Sequence, residues 1–173
     1  MKKTIQLLSV SLFAACSLFM GSCKKDSTDA SGNQNLGSGQ GEVRFSYSGA
    51  QSGSFQSAIS FTTVASSGGI TQIAATVVSG TTAKVVQIVF PTNIATGTAT
   101  QASAGADLAN NFLMSYAIGS AGWAIGGGTG AGFTVTVTKN TGTEMEGTFS
   151  GELGSDSDPS KVTTASGYFH CKL

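Results

Sequence analysis

The chain reads as all-β: an antiparallel β-sandwich, immunoglobulin-like or jelly-roll-like, with a small β-barrel as the alternative. Three observations lead there. Apolar and polar residues alternate with a period of two in segment after segment, the pattern of strands with one dry and one wet face. Glycine- and hydroxyl-rich turn signals separate these segments, and no sustained helical period competes with them. The 173 residues include 24 Ser and 21 Thr but only 10% charged side chains, against about 25% in ordinary soluble domains. The polar surface is therefore built largely from hydroxyls and backbone.

Lys2 and Lys3 form a short basic start, and Ile5 to Met20 follow as an uncharged, mostly apolar stretch. This is the shape of an export signal. It is shorter than the roughly 20 apolar residues that span a bilayer, and small residues then charge follow it. Leu18-Phe19-Met20-Gly21-Ser22-Cys23 places two small residues directly before a cysteine.

On these residues the leader resembles that of a bacterial lipoprotein with its lipobox, although Met20 stands where that family usually carries Leu. The resemblance implies that residues 1–22 are a signal peptide removed on export. Cys23 then becomes the first mature residue, its thiol carrying a diacylglyceryl group and its amine a further acyl chain of the palmitate kind. Each buried methylene adds about 0.8 kcal/mol, so several chains hold a protein on a membrane stably. The start Cys23-Lys24-Lys25-Asp26 is similar to lipoproteins of the Bacteroidetes, which implies the outer membrane and leaves its two faces open.

Ser27 to Gly41 is polar with a single large apolar residue, Leu36, and residues 23–41 read as a flexible tether. Residues 42–173 read as one domain. Within it, Val43, Phe45 and Tyr47 alternate with Arg44, Ser46 and Ser48. Ser54 to Val64 and Ile70 to Ser79 are the next strand candidates. Val85 to Phe90 is apolar at nearly every position, as suits a central strand, and Pro91 ends it. Gly97 to Thr100 is a short candidate. Ala99 to Asn110 is alanine-rich and broken by Gly105, and reads as a loop. Asn111 to Ile118 and a short piece around Trp123 come next. Phe133, Val135 and Val137 then alternate with threonines, Met145, Gly147 and Phe149 with Glu144, Glu146 and Thr148, and Val162 to Cys171 closes the series.

The runs Phe133-Thr-Val-Thr-Val-Thr138, Met145-Glu-Gly-Thr-Phe-Ser-Gly151 and Thr164-Ala-Ser-Gly-Tyr-Phe169 resemble the last strands of small Bacteroidetes lipoproteins of unknown function. That resemblance implies an all-β lipoprotein and no activity.

Chemistry is sparse. From Cys23 onward seven basic face nine acidic residues, a net charge of minus two with no basic run, which argues against a nucleic-acid partner. The one histidine, His170, precedes Cys171, and on a strand the two point to opposite faces, so they form neither a base–nucleophile pair nor one metal site. Cys171 has no partner for a disulfide once Cys16 leaves and Cys23 is lipidated. Asp156 and Asp158, near Glu152, are the only acidic cluster; a hairpin turn is the plainer reading of them than a calcium site, which wants six to eight oxygens. Gly126 to Gly132 lacks the Lys-Ser or Lys-Thr ending of a phosphate loop and precedes a strand. Trp123 and Tyr116, with Phe112 and Tyr168, are the aromatics expected to reach a surface and stack on a sugar ring or anchor a protein; core packing is the alternative.

The expectation is a membrane-anchored cell-envelope lipoprotein with a non-catalytic glycan- or protein-binding module, no cofactor and no resident metal. A structural or assembly lipoprotein is the second reading and a hydrolase the last.

Overall fold

The computed structural model describes residues 36–58, 62–101, 112–125 and 132–173. The leader, Cys23, the tether up to residue 35 and the glycine loop at 126–131 lie outside the described residues. All described residues belong to one unit, Asn33–Leu173.

Among them the only regular elements are strands. These are β1 (Gly41–Gly49), β2 (Gly53–Gln56), β3 (Thr62–Ser67), β4 (Ile70–Ser79), β5 (Thr82–Pro91), β6 (Gly97–Gln101), β7 (Leu113–Ile118), β8 (Ala121–Ala124), β9 (Phe133–Asn140), β10 (Glu144–Ser155) and β11 (Val162–Lys172). All pairings are antiparallel, in the order β2-β1-β11-β10-β8-β7-β5-β4-β3, with β9 on β10 and β6 on β9. The sheet curls into a half-barrel. The all-β expectation is met, and of the two architectures it is the barrel-like one.

β10 makes this topology possible. Its first part, Met145 to Gly151, pairs with β9, and its last residues, Gly154 and Ser155, pair with β8. The change of partner falls after Gly151, which has a φ of +155°. A Cβ there would lie 2.5 Å from the Gly132 carbonyl oxygen and 2.6 Å from Phe133 Cα. Only glycine lets the two backbones approach so closely.

Alternation places the core as anticipated. Val43, Phe45 and Tyr47 of β1, Phe133, Val135 and Val137 of β9, and Met145 and Phe149 of β10 are all buried. On β5, between β4 and β7, Val86, Ile88 and Phe90 are fully buried, Gln87 on the other face is also buried, and Val85 and Val89 are half-buried. Rings fill the concave side: Phe45 stacks on Phe55 at 5.2 Å and Phe133 on Phe149 at 5.8 Å between centroids.

Three boundaries need correction. Ser54 to Val64 is not one strand: β2 ends at Gln56 beside β1, whereas β3 pairs with β4 at the far end of the order. β6 runs to Gln101, one residue past the expected end; the rest of the alanine-rich stretch lies outside the described residues. The tether does not reach Gly41. Leu36 is buried at 4% exposure, the Gly39 amide donates to the Lys172 carbonyl at 3.0 Å, and the Gly39 carbonyl accepts from the Val64 amide at 2.9 Å. Residues 36–41 thus tie β11 to β3, using backbone hydrogen bonds that composition does not disclose.

Candidate functional site

The aromatics expected at the surface divide. Trp123, Tyr116 and Phe112 are 3%, 1% and 3% exposed, which corrects the reading of Trp123 and Tyr116 as ligand-binding residues. The register explains it. Tyr116 and Trp123 face each other across the β7–β8 pair on the side that also carries Met114, so both rings enter the core. Tyr116 meets Phe45 edge-on at 5.0 Å and Tyr47 at 5.0 Å, and burial drives its phenol far above the ordinary tyrosine range. Tyr168 alone of the four lies on the outward face, half-buried.

That outward face, on β2, β1, β11, β10 and β9, is a lattice of hydroxyls. Ser54, Ser46, Ser166, Ser150 and Thr134 stand in register across these five strands, and the four serines are exposed. The next row is Gln56, Arg44, Tyr168, Thr148 and Thr136, and on the other side Ser48 pairs with Thr164 and Thr164 with Glu152. Neighbouring strands are about 4.8 Å apart and alternate residues on one strand about 6.8 Å. The result is a regular two-dimensional array of groups that donate and accept hydrogen bonds, with one aromatic ring inside it.

One end of the face is charged. Glu42, His170, Glu146 and Lys139 form the row beyond Tyr168, and Glu144 lies next along β10. The Glu144 Oε1–His170 Nε2 distance is 2.8 Å and the Glu146 Oε1–His170 Nε2 distance 3.7 Å. Lys139 Nζ donates to Glu144 Oε2 at 2.6 Å and stands 3.6 Å from Glu146 Oε1. Arg44 pairs with Glu42. The Lys139 and His170 hydrogen bonds hold the Glu144 carboxyl below its ordinary range, and the same Glu144 bond raises the Lys139 ammonium. Burial first, then the carboxylates of Glu146 and Glu42, push the Tyr168 phenol up to about 12.

Sequence reasoning missed this group. The signal available was Glu144-x-Glu146, which puts two carboxylates on one face of a strand. What brings His170 between them is the β10–β11 register, 26 residues away in sequence.

Among the described residues neither Asp156 nor Asp158 belongs to a group of three possible metal ligands. Asp158 Oδ1 accepts from the Ser160 amide at 3.1 Å and hydroxyl at 2.7 Å, and Lys161 Nζ lies 3.2 Å from Oδ2; these bonds hold its carboxyl below the ordinary range. The Asp156 carboxylate lies over Gly122 of β8. Both belong to the turn between β10 and β11. Cys171 points inward opposite His170, fully buried, and burial pushes its thiol up to about 12, so it is an inert core residue. An open cleft between residues 92–96 and Asn140 and Gly142 is pinned by the Asn140 amide, which donates to the Thr92 and Ile94 carbonyls at 3.3 and 2.7 Å.

Comparison with protein-family models, curated proteins and solved structures finds no match for this chain, so the lipoprotein resemblance stands on the residues quoted for it.

Proposed function

We propose that the protein is a lipid-anchored cell-envelope lipoprotein displaying a non-catalytic β-module, and that the module contacts glycan through the outward face centred on Tyr168. The anchor reading rests on Lys2, Lys3, the apolar run and Gly21-Ser22-Cys23, and the Cys23-Lys24-Lys25-Asp26 start supports the outer membrane as its compartment. The observation that carries the glycan reading is the in-register hydroxyl lattice around a half-buried tyrosine. A polysaccharide is itself a regular array of hydroxyls over apolar ring faces, so multiple hydrogen bonds plus one stacking contact are the chemistry that would recognise it. No acid–base role is assigned to His170, whose imidazole is held against Glu144.

Burial of Trp123, Tyr116 and Phe112 favours the second reading, a structural lipoprotein without a small ligand, because stacking then relies on one ring instead of four. A polysaccharide array probed with the full-length protein, together with a pull-down, separates the two. Retention on a polysaccharide supports the first, and retention on neither glycan nor protein supports the second. Mass spectrometry of the mature N-terminus tests the anchor: acylated Cys23 is expected, and an unmodified thiol or cleavage elsewhere overturns it.

A further inference from the structure

We propose that Glu144, Glu146 and His170 form a binding site for a borderline divalent cation of the Zn²⁺ class, with Lys139 as the counter-charge that the ion displaces. The inference is independent of the glycan reading. These three are the group of potential ligands that the described residues bring together, their donor atoms all lying within 4.8 Å of one another. Donors sharing one tetrahedral ion at bonds near 2.1 Å stand about 3.4 Å apart. The Glu146–His170 separation of 3.7 Å is close to that, and the Glu144–His170 separation of 2.8 Å needs to open by about 0.6 Å, within reach of a side-chain torsion change.

The backbone fixes this placement. Glu144 and Glu146 are alternate residues of β10, and Glu146 is the register partner of His170. The three side chains are partly shielded, at 15% exposure for His170 and 28% and 30% for the two glutamates. A single antiparallel sheet therefore presents one imidazole nitrogen and two carboxylates to a common point without needing a loop to fold over it.

The donor set selects the ion. One nitrogen and two oxygens suit zinc, cobalt or nickel, with water completing the shell, whereas calcium requires six to eight oxygens and magnesium an octahedron of oxygen. Lys139 is the competitor. Its ammonium contacts both carboxylates, yet its side chain is 41% exposed and ends a flexible four-carbon stem, so it can swing into solvent when a dication takes its place.

The test is calorimetric titration of the full-length protein with ZnCl₂, alongside CaCl₂ and MgCl₂, and visible absorption with CoCl₂ to read coordination geometry. One equivalent of Zn²⁺ is expected to bind, with Ca²⁺ and Mg²⁺ much weaker and Co²⁺ giving the intense bands of a low-coordinate site. His170→Ala and Glu146→Gln should each weaken Zn²⁺ by roughly tenfold or more, and Lys139→Met should tighten it by removing the competing ammonium. All three positions face outward, and circular dichroism checks that each variant is folded. Absence of saturable binding, binding unchanged in His170→Ala, or weaker binding in Lys139→Met would overturn the proposal.

Discussion

The ring of Phe169 occupies the space that a side chain at Gly147 would fill. The two are register partners on β11 and β10, and a Cβ at position 147 would stand 2.6 Å from Phe169 Cζ and 2.7 Å from the Thr136 carbonyl oxygen. The glycine lets a fully buried phenylalanine lie flat across the neighbouring strand and reach Phe90 and Phe112, each 5.7 Å away between centroids. Gly147→Ala should therefore destabilise the protein by about 1–3 kcal/mol through overpacking, measured by denaturant unfolding. A neutral effect would mean that the ring is free to move aside.

Phe149 joins the rings of Phe45, Phe112 and Phe133 and is 2% exposed. Phe149→Ala should cost about 3–5 kcal/mol, the usual range for deleting a core ring. A loss under about 0.5 kcal/mol, the scale of an ordinary surface change, would place Phe149 outside the core.

The entry segment is the third target. Because Leu36 is buried and Gly39 bridges β11 and β3, a chain beginning at residue 36 should melt higher than one beginning at residue 42. Leu36→Ala in the full chain should cost about 2 kcal/mol or more. Equal melting temperatures for the two truncations would return residues 36–41 to the tether.

Asp156 has a pH signature. Asp156 is exposed as a whole, but desolvation of its carboxyl where it packs over Gly122 raises its pKa above the ordinary 3.8, so the folded state holds this proton more readily than the unfolded chain does. That preference contributes stability below the unfolded value and is lost as pH rises through the folded one. At neutral pH the fold therefore carries a disfavoured carboxylate. Asp156→Asn should melt higher than the wild type at pH 7, and the difference should shrink as pH falls toward 3. Thermal melts across that range check it, and a lower melting temperature at pH 7 would contradict it.

How much was legible follows from what each feature depends on. The inward faces of β1, β9 and β10 could be read directly because period-two patterning is a property of one strand. The same logic was available for Tyr116, which shares a strand face with Met114 and Ile118 and alternates with Ser115 and Ala117, and so belongs inside. Trp123 gave no such contrast, since Ala121 on its own face and Gly122 and Ala124 on the opposite one are all small. The break between β2 and β3 carries neither glycine nor proline within Ser54 to Val64, so only the pairing partners reveal it. The hydroxyl rows and the Glu144–Glu146–His170 group depend on the register between strands, β10 against β11 for the charged group and also β1 against β11 for the hydroxyl rows. Each component residue is visible in the chain, but the juxtaposition is a property of the sheet.

The central claim is that the outward hydroxyl face, and not the buried aromatics, contacts glycan. Affinity electrophoresis of the full-length protein in gels containing the polysaccharides retained on the array tests it most directly, comparing wild type with Tyr168→Ala, Ser166→Val and Trp123→Phe. Retardation by at least one polysaccharide is predicted, lost in Tyr168→Ala, weakened in Ser166→Val and kept in Trp123→Phe. Loss in Trp123→Phe with retention in Tyr168→Ala, or no retardation of the wild type by any polysaccharide, would contradict the account.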